Sequence, residues 1–406
     1  MQDSTLSASE AAELLGVKPA TLYAYVSRGL LHRVRAPGRP SRFSLADLEA
    51  LKARSRAGRR VLELPVESAL TSVREDGLYY RGEDVALLAT TRAFEEVAGL
   101  LWTGAFPDLE SWPVDTAAAK VAGDAQRALP DDALPLDRLR VAAAALAAAD
   151  PLRFQTDAEA VAVTGRRLVG ALAASLAASE PAPLAVRSQT LRGSVAGWLW
   201  GGLTPLPASD GAVEALNTAL VLLADHELSI STLAARMAAS IAADPYSVVC
   251  VGLSALGGAM QAVAALAAED MLREVVRPDL ASRAVGERLR RGDRVPGFGH
   301  RLHPEGDPRA AVLLGAVRDA FSGEPGLSGV EAVLAVSAER GLPPPNVDFA
   351  LAALAVAAGW RRGAGEAVFG IARCAGWIAH AIEEYGARTE LRPRPVYVGI
   401  PIAPER

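Results

Sequence analysis

The chain holds only two cysteines among its 406 residues, and both, Cys250 and Cys374, stand in apolar Ala/Gly/Val surroundings. Two thiols exclude a disulfide framework and a four-ligand zinc site; buried, inert side chains are expected, and no metal. The first residues, Met1-Gln-Asp-Ser-Thr5, lack a basic start and an apolar stretch, so a secretory signal is excluded and a cytoplasmic protein expected. Low-complexity sequence is missing too. With 50% of its residues apolar, the chain has the composition of a packed globular protein, which excludes disorder. One uncharged run, Val248 to Ala268, is long enough to cross a bilayer. It is mainly Ala, Gly, Val and Ser, contains Gln261, and lies close to Asp244 and Glu269. It is therefore read as a buried helix, and no membrane partner is expected.

At this length more than one domain is expected. The net charge of -5 conceals a local excess of the opposite sign. Between Arg28 and Arg60 stand Arg28, Arg33, Arg35, Arg39, Arg42, Lys52, Arg54, Arg56, Arg59 and Arg60, against Asp47 and Glu49 alone. Residues 1–60, including an Arg-rich linker from Ala53 to Arg60, read as a separate unit. Ser7 and Glu10 have capping-box spacing before Ala11, Leu15 and Val17, which predicts a helix from about Ala8 to Leu15 that Gly16 ends. Pro19 suits the first turn of a second helix, with Leu22 and Val26 facing inward and Gly29 as its cap. Leu31 to Arg42, broken by Pro37-Gly38 and Pro40, reads as a two-stranded wing. Ser44 with Asp47, and Phe43 against Leu48, signal a third helix. Over residues 6–55 this pattern resembles the winged helix-turn-helix of the MerR and excisionase group. The resemblance implies a double-stranded DNA partner, met by Thr21, Tyr23 and Arg28 on the second helix and by Arg33, Arg35, Arg39 and Arg42 on the wing.

Beyond the linker the text turns Ala/Leu-rich and helical. Leu78-Tyr-Tyr-Arg-Gly82 reads as part of a small hairpin, and Ala93 to Trp102 has apolar residues at helical spacing. Three later segments, Val295-Pro-Gly-Phe-Gly-His300, Pro345-Asn-Val-Asp348 and Ile371-Ala-Arg373, each present one ionisable group beside turn-forming residues. Asn346 is placed to cap a helix whose first turn holds Asp348, where the helix dipole favours a carboxylate. Gly297 and Gly299 allow close backbone approach beside His300.

These phrases, in this order, resemble the citrate synthases, from a "YRG" segment before an "FEEVA..LLW.G..P" helix to "GFGH", "DPRA" and "PNVD". The resemblance runs from there to Gly399. It implies an all-α fold: a two-domain helical body over residues 61–406, with a large subdomain (62–257 and 364–406) and a smaller mobile one (258–363). It implies condensation of an acyl-CoA with oxaloacetate, the coenzyme A thioester being a co-substrate and no cofactor being bound. Asp348 would be the base, and His300 would donate to the ketone oxygen. His226, Arg309, Arg373 and Arg392 would hold the oxoacid, with Arg392 supplied by the neighbouring subunit of a homodimer.

The acyl half departs from the pattern. Where the family has "GPLHGGANE", Gln261 stands in place of the enol-stabilising histidine, and Ala262 and Val263 in place of two glycines. Leu223 replaces the first histidine of "HADHE", and Ser229 its asparagine. Two function classes follow. The complete oxoacid half favours a citrate- or 2-methylcitrate-synthase-like acyltransferase, impaired to some degree by Gln261. The altered acyl half and the basic unit favour an oxoacid-sensing DNA-binding regulator, weak or inactive as an enzyme.

Overall fold

The computed structural model describes residues 5–8, 11–12, 33–34, 41–44, 48, 66–74, 77–107, 112, 115–178, 193–258, 262–387 and 390–391. Its contacts divide the chain into two units, Met1–Glu67 and Ser68–Arg406, a boundary a few residues beyond the one expected at residue 60.

In the first unit, β1 (Thr5–Ser7), β2 (Arg33–Val34) and β3 (Arg42–Ser44) form an antiparallel sheet in the order β1-β3-β2. The expected two-stranded wing is there, with β1 as an added strand. Ser7, expected to cap a helix, ends β1 opposite Arg42 and directly precedes the helical Ala8. Helical residues follow at Ala8 and Ala11–Ala12. Phe43 and Leu48, the expected staple pair, are both fully buried. Arg33 faces Phe43, and Val34 faces the exposed Arg42. Thr21, Tyr23, Arg28, Arg35 and Arg39 lie outside the described residues.

The second unit opens with an antiparallel sheet of β4 (Thr71–Arg74), β5 (Gly77–Tyr80) and β6 (Glu83–Asp84). Arg81 and Gly82 join β5 to β6 with φ of 48° and 92°. Two left-handed residues match the twist of paired strands, which accounts for a glycine in the "YRG" phrase. Everything after is helical: α1 (Val85–Thr91), α2 (Phe94–Thr103), α3 (Thr116–Gln126), α4 (Pro135–Ala149), α5 (Ala158–Ala178), α6 (Val195–Leu203) and α7 (Asp210–Leu223). There follow α8 (Ile230–Ser240), α9 (Pro245–Leu256), α10 (Ala262–Glu274), α11 (Ala281–Arg290), α12 (Pro308–Ala320), α13 (Pro325–Glu339), α14 (Val347–Ala357) and α15 (Ala364–Ala387).

The helix starts are written in the sequence. Asp84, Ser194, Ser209, Ser229, Asp244, Asp307 and Asn346 each accept backbone N–H bonds in the first turn of the helix that follows. Pro245 and Pro308 add a helix-compatible first residue. The uncharged run Val248 to Ala268, expected as one buried helix, is two. The helix α9 ends at Gly257, and α10 begins at Ala262. The helix α5 is long and apolar enough to cross a membrane by composition, yet 72% of its apolar window is buried against the rest of this unit.

The helix α15 is the axis of the unit. It is buried along most of its length and touches α5, α7, α8 and α9. Trp377 on α15 lies where a side chain at Gly252 of α9 would meet its ring at 2.5 Å, so glycine is what lets the two helices close up. Trp102 of α2 donates from Nε1 to the Ala375 carbonyl at 2.9 Å. Cys374 is buried here and Cys250 half-buried. Burial raises both thiols, that of Cys250 to about 11, so the expectation of inert cysteines holds.

Candidate active site

Two loops distant in sequence are sewn together by backbone bonds. The Asn346 N–H donates to the Gly297 carbonyl at 2.9 Å, and the Gly299 N–H to the Pro344 carbonyl at 2.8 Å. Asn346 also donates from Nδ2 to the Gly299 carbonyl while its Oδ1 caps α14, accepting from Asp348 and Phe349. Gly297 and Gly299 have φ of 84° and 77°, and a Cβ on Gly297 would come within 2.7 Å of Phe349 Cβ. The close approach these glycines permit is thus to Phe349 and Pro343 of the protein, rather than directly to a ligand. The result is that His300 and Asp348 end two halves of one braced loop pair.

Three histidines meet beside it. His226, in the loop after α7, has its ring centroid 5.5 Å from those of His300 and His303, which stack on each other at 4.9 Å. Burial, with the nearby Arg309, pushes the His300 imidazole down to about 4. It is therefore neutral at pH 7. Its Nδ1 accepts from the Leu302 N–H at 3.2 Å, which leaves the proton on Nε2. A neutral imidazole fixed as an Nε2–H donor suits a group that must donate to a ketone oxygen. Burial, followed by Arg309 and Arg373, drives His226 far below the usual histidine range.

The cations are buried. Arg309 grips Asp307 with two bonds of 3.0 and 2.9 Å, and the Val347 N–H donates to the same carboxylate at 3.0 Å. Burial raises the Asp307 carboxyl, but Arg309 and Val347 more than offset this and hold it below the usual range. Arg373 is 2% exposed, and its Nε and Nη1 have no hydrogen-bond partner among the described residues. Its nearest counter-charge is Asp225 Oδ1, at 3.8 Å from Nη1. Asp225 is wholly buried; Thr71 donates to it and Tyr80 OH bonds its backbone at both ends. Beyond it lies His380, with Nε2 3.4 Å from Oδ1, then Arg236, which donates to Glu383 and Glu384. Arg373, expected beside turn-forming residues, sits mid-helix on α15 instead.

Asp348 lies in the first turn of α14 as expected, but the helix dipole does not decide its charge. Burial, only partly offset by Arg309 and Arg373, pushes its carboxyl up to about 6. Such a carboxylate is a stronger base than an exposed one and is still ionised at neutral pH.

Of the departures from the family pattern, Leu223 is fully buried in the last turn of α7, and Ser229 caps α8 by accepting from the Thr232 N–H. Gln261 and Arg392 lie outside the described residues. The residues that sequence reasoning left out are His303, Asp225 and Asp307. The signals for them were present: His303 three positions after His300, Asp225 adjacent to His226, and Asp307 two before Arg309.

An all-α body thus brings a cluster of three histidines, a partly desolvated acid and two buried helical arginines together, a set suited to binding and polarising a carboxylate-bearing ketone. The family described as "Citrate synthase, C-terminal domain" matches residues 63–394, and "Helix-turn-helix domain" matches residues 5–56. The citrate synthase of Haloferax volcanii is 32% identical, over 83% of this chain and 94% of that protein. Citrate synthase 2 of Bacillus subtilis is 30% identical over 82% and 93%. A 2-methylcitrate synthase of Mycobacterium tuberculosis is 29% identical over 80% and 85%. Among solved structures, the Thermoplasma acidophilum citrate synthase complex with carboxymethyl coenzyme A and oxaloacetate superposes with a TM-score of 0.67 at 24% identity, covering 84% of this chain and 95% of that one. The chain belongs to the citrate synthase family and carries an N-terminal helix-turn-helix domain.

Asp348 is half-buried by surface exposure, and its desolvation has a measurable consequence. Its pKa rises on folding from 3.8 to about 6, so between these values the native state binds more protons and stability falls as pH rises. Above pH 6 the ionised carboxylate remains destabilising. Asp348→Asn is expected to stabilise the protein at pH 8 by on the order of 2 kcal/mol, with the gain shrinking toward pH 4. Urea unfolding of both proteins across that range checks this; a gain independent of pH would contradict it.

Proposed function

We propose that this chain condenses a short-chain acyl-CoA with oxaloacetate. The observation that carries the reading is Arg373. A buried guanidinium with two nitrogens lacking a partner among the described residues is costly unless something else completes it, and a carboxylate fits its planar fork. Arg309, with one side of its fork on Asp307, and Arg392 would complete the grip on the dicarboxylate. His226 would contact the oxoacid, and His300 would donate Nε2–H to its ketone oxygen. Asp348 would remove a proton from the α-carbon of the thioester. The carbanion equivalent attacks the ketone carbon, a C–C bond forms, the ketone oxygen takes a proton, and water cleaves the thioester to release coenzyme A. Closure of a lobe spanning residues 258–363 over the cleft would expel water before the condensation.

The acyl donor is acetyl-CoA or propionyl-CoA, the two implied by the relatives' names. Gln261 keeps an amide donor where the family has an imidazole, and loss of one oxyanion donor costs about a hundred- to a thousandfold in rate. Turnover is therefore expected to be slow. Free-thiol release from either thioester, with oxaloacetate present, is expected to fall as pH drops through about 6, to vanish in Asp348→Asn and to rise in Gln261→His. No thiol release by the wild type or by Gln261→His would sink the enzymatic reading and leave the oxoacid-sensing regulator.

The helix-turn-helix domain supports a second property, DNA binding, with Arg33 and Arg42 on neighbouring strands as phosphate contacts. Band shifts on double-stranded DNA are expected at low salt and to weaken steeply as salt rises. No shift at low salt would remove DNA from the account.

A homodimer is supported by α8 and its C-cap, where Ile230, Met237 and the cap residue Ile241 are exposed at 66%, 39% and 69%. Light scattering is expected to return twice the chain mass. A monomer at micromolar concentration would contradict the dimer and the sharing of Arg392.

A further inference from the structure

His303 is the third member of the histidine cluster, and the chemistry above gives it no part. It is 8% exposed, stacked on His300, and its Nε2 lies 3.3 Å from His226 Nε2. At that distance two neutral imidazoles must share one proton, because two bare nitrogens or two N–H groups would repel. The bond has two possible directions with different results for His226. If His226 donates, its Nδ1 is bare and can offer an oxyanion nothing. If His303 donates, the His226 proton is on Nδ1 and is free to bond an acceptor. An oxoacid presents only acceptors to a neutral imidazole, so the second direction is the one that binding requires.

We infer that His303 is a positioning residue for the oxoacid site, donating from Nε2 to His226 Nε2 and so fixing His226 as an Nδ1–H donor. This rests on the reading of His226 as an oxoacid ligand. The same desolvation that keeps His226 neutral makes its tautomer matter, because an imidazolium would present N–H on both sides whatever His303 did. The stacking also means that His303 is held from two directions: the ring of His300 fixes its plane, and His226 fixes its edge. A hydrogen bond from a neighbouring group to the other ring nitrogen is the usual way that a functional imidazole is given one tautomer, as the backbone N–H of Leu302 does for His300.

The test has a ligand-free arm and a binding arm, both on the full chain. With only five histidines present, 15N-histidine labelling is expected to show His226 protonated at Nδ1, assigned by its loss in His226→Asn, and mixed tautomers for it in His303→Phe. Calorimetric titration with oxaloacetate is expected to give a Kd about tenfold weaker in His303→Phe, the size of one lost buried hydrogen bond. His303→Gln, whose amide can donate, is expected to recover most of that loss. An unchanged His226 tautomer in His303→Phe overturns the inference, as does equal weakening in the Phe and Gln variants, which would make His303 a packing residue. If the wild type takes up no oxaloacetate, the functional reading fails, and the ligand-free arm still decides whether His303 sets the tautomer.

Discussion

The structure depends on keeping a guanidinium in its interior. Arg373 is on α15, a helix buried along most of its length, where an uncompensated cation would cost several kcal/mol. Its counter-charge, Asp225, is held at 3.8 Å, too far to saturate it, by groups that are themselves fixed: Thr71 on β4, Tyr80 on β5 and His380 one face along α15. Arg236 with Glu383 and Glu384 continues the chain of charges to α8. Burial raises the Asp225 carboxyl, yet His380 and Arg373 keep it below the usual range, so the pair stays ionic. The network tolerates the buried charge without quenching it. What is left over is a guanidinium with two nitrogens, Nε and Nη1, that have no hydrogen-bond partner among the described residues.

The same interior sets the protonation of the other groups. Desolvation moves acid and imidazole in opposite directions, raising Asp348 to about 6 and lowering His300 to about 4. At neutral pH this yields a carboxylate beside a neutral donor, the pairing that proton abstraction from a weak carbon acid and polarisation of a ketone need. Geometry is supplied by the braced loops, where Asn346 bonds both Gly299 and the first turn of α14. Loss of that amide would loosen Asp348 and His300 together.

Much of this was legible in the sequence. The caps at Asp307 and Asn346, the hairpin around Leu78 to Gly82, and the grouping of His226, His300, Arg309 and Arg373 could be read from motif and order. The environments were less legible. Helix position alone gave Asp348 an ionised carboxylate; burial by segments far away in sequence raises its pKa, and no local pattern carries that. Arg373 was set beside a turn because its flanking residues are small, when those small residues are what allow a long helix to be packed on all sides. The uncharged run at Val248 to Ala268 hid a break because Gly257-Gly258 is surrounded by other small residues. His303 and Asp225 went unassigned because their roles act through other residues.

The central claim is that the unmet donors of Arg373 belong to a carboxylate ligand. A crystal structure of the chain grown with oxaloacetate tests it most directly. The account predicts a ligand carboxylate within hydrogen-bond distance of the Arg373 guanidinium, with His226 and His300 on the same molecule. Arg373 bonded at Nε and Nη1 by groups of the protein, with no ligand between the braced loops and α15, would contradict it.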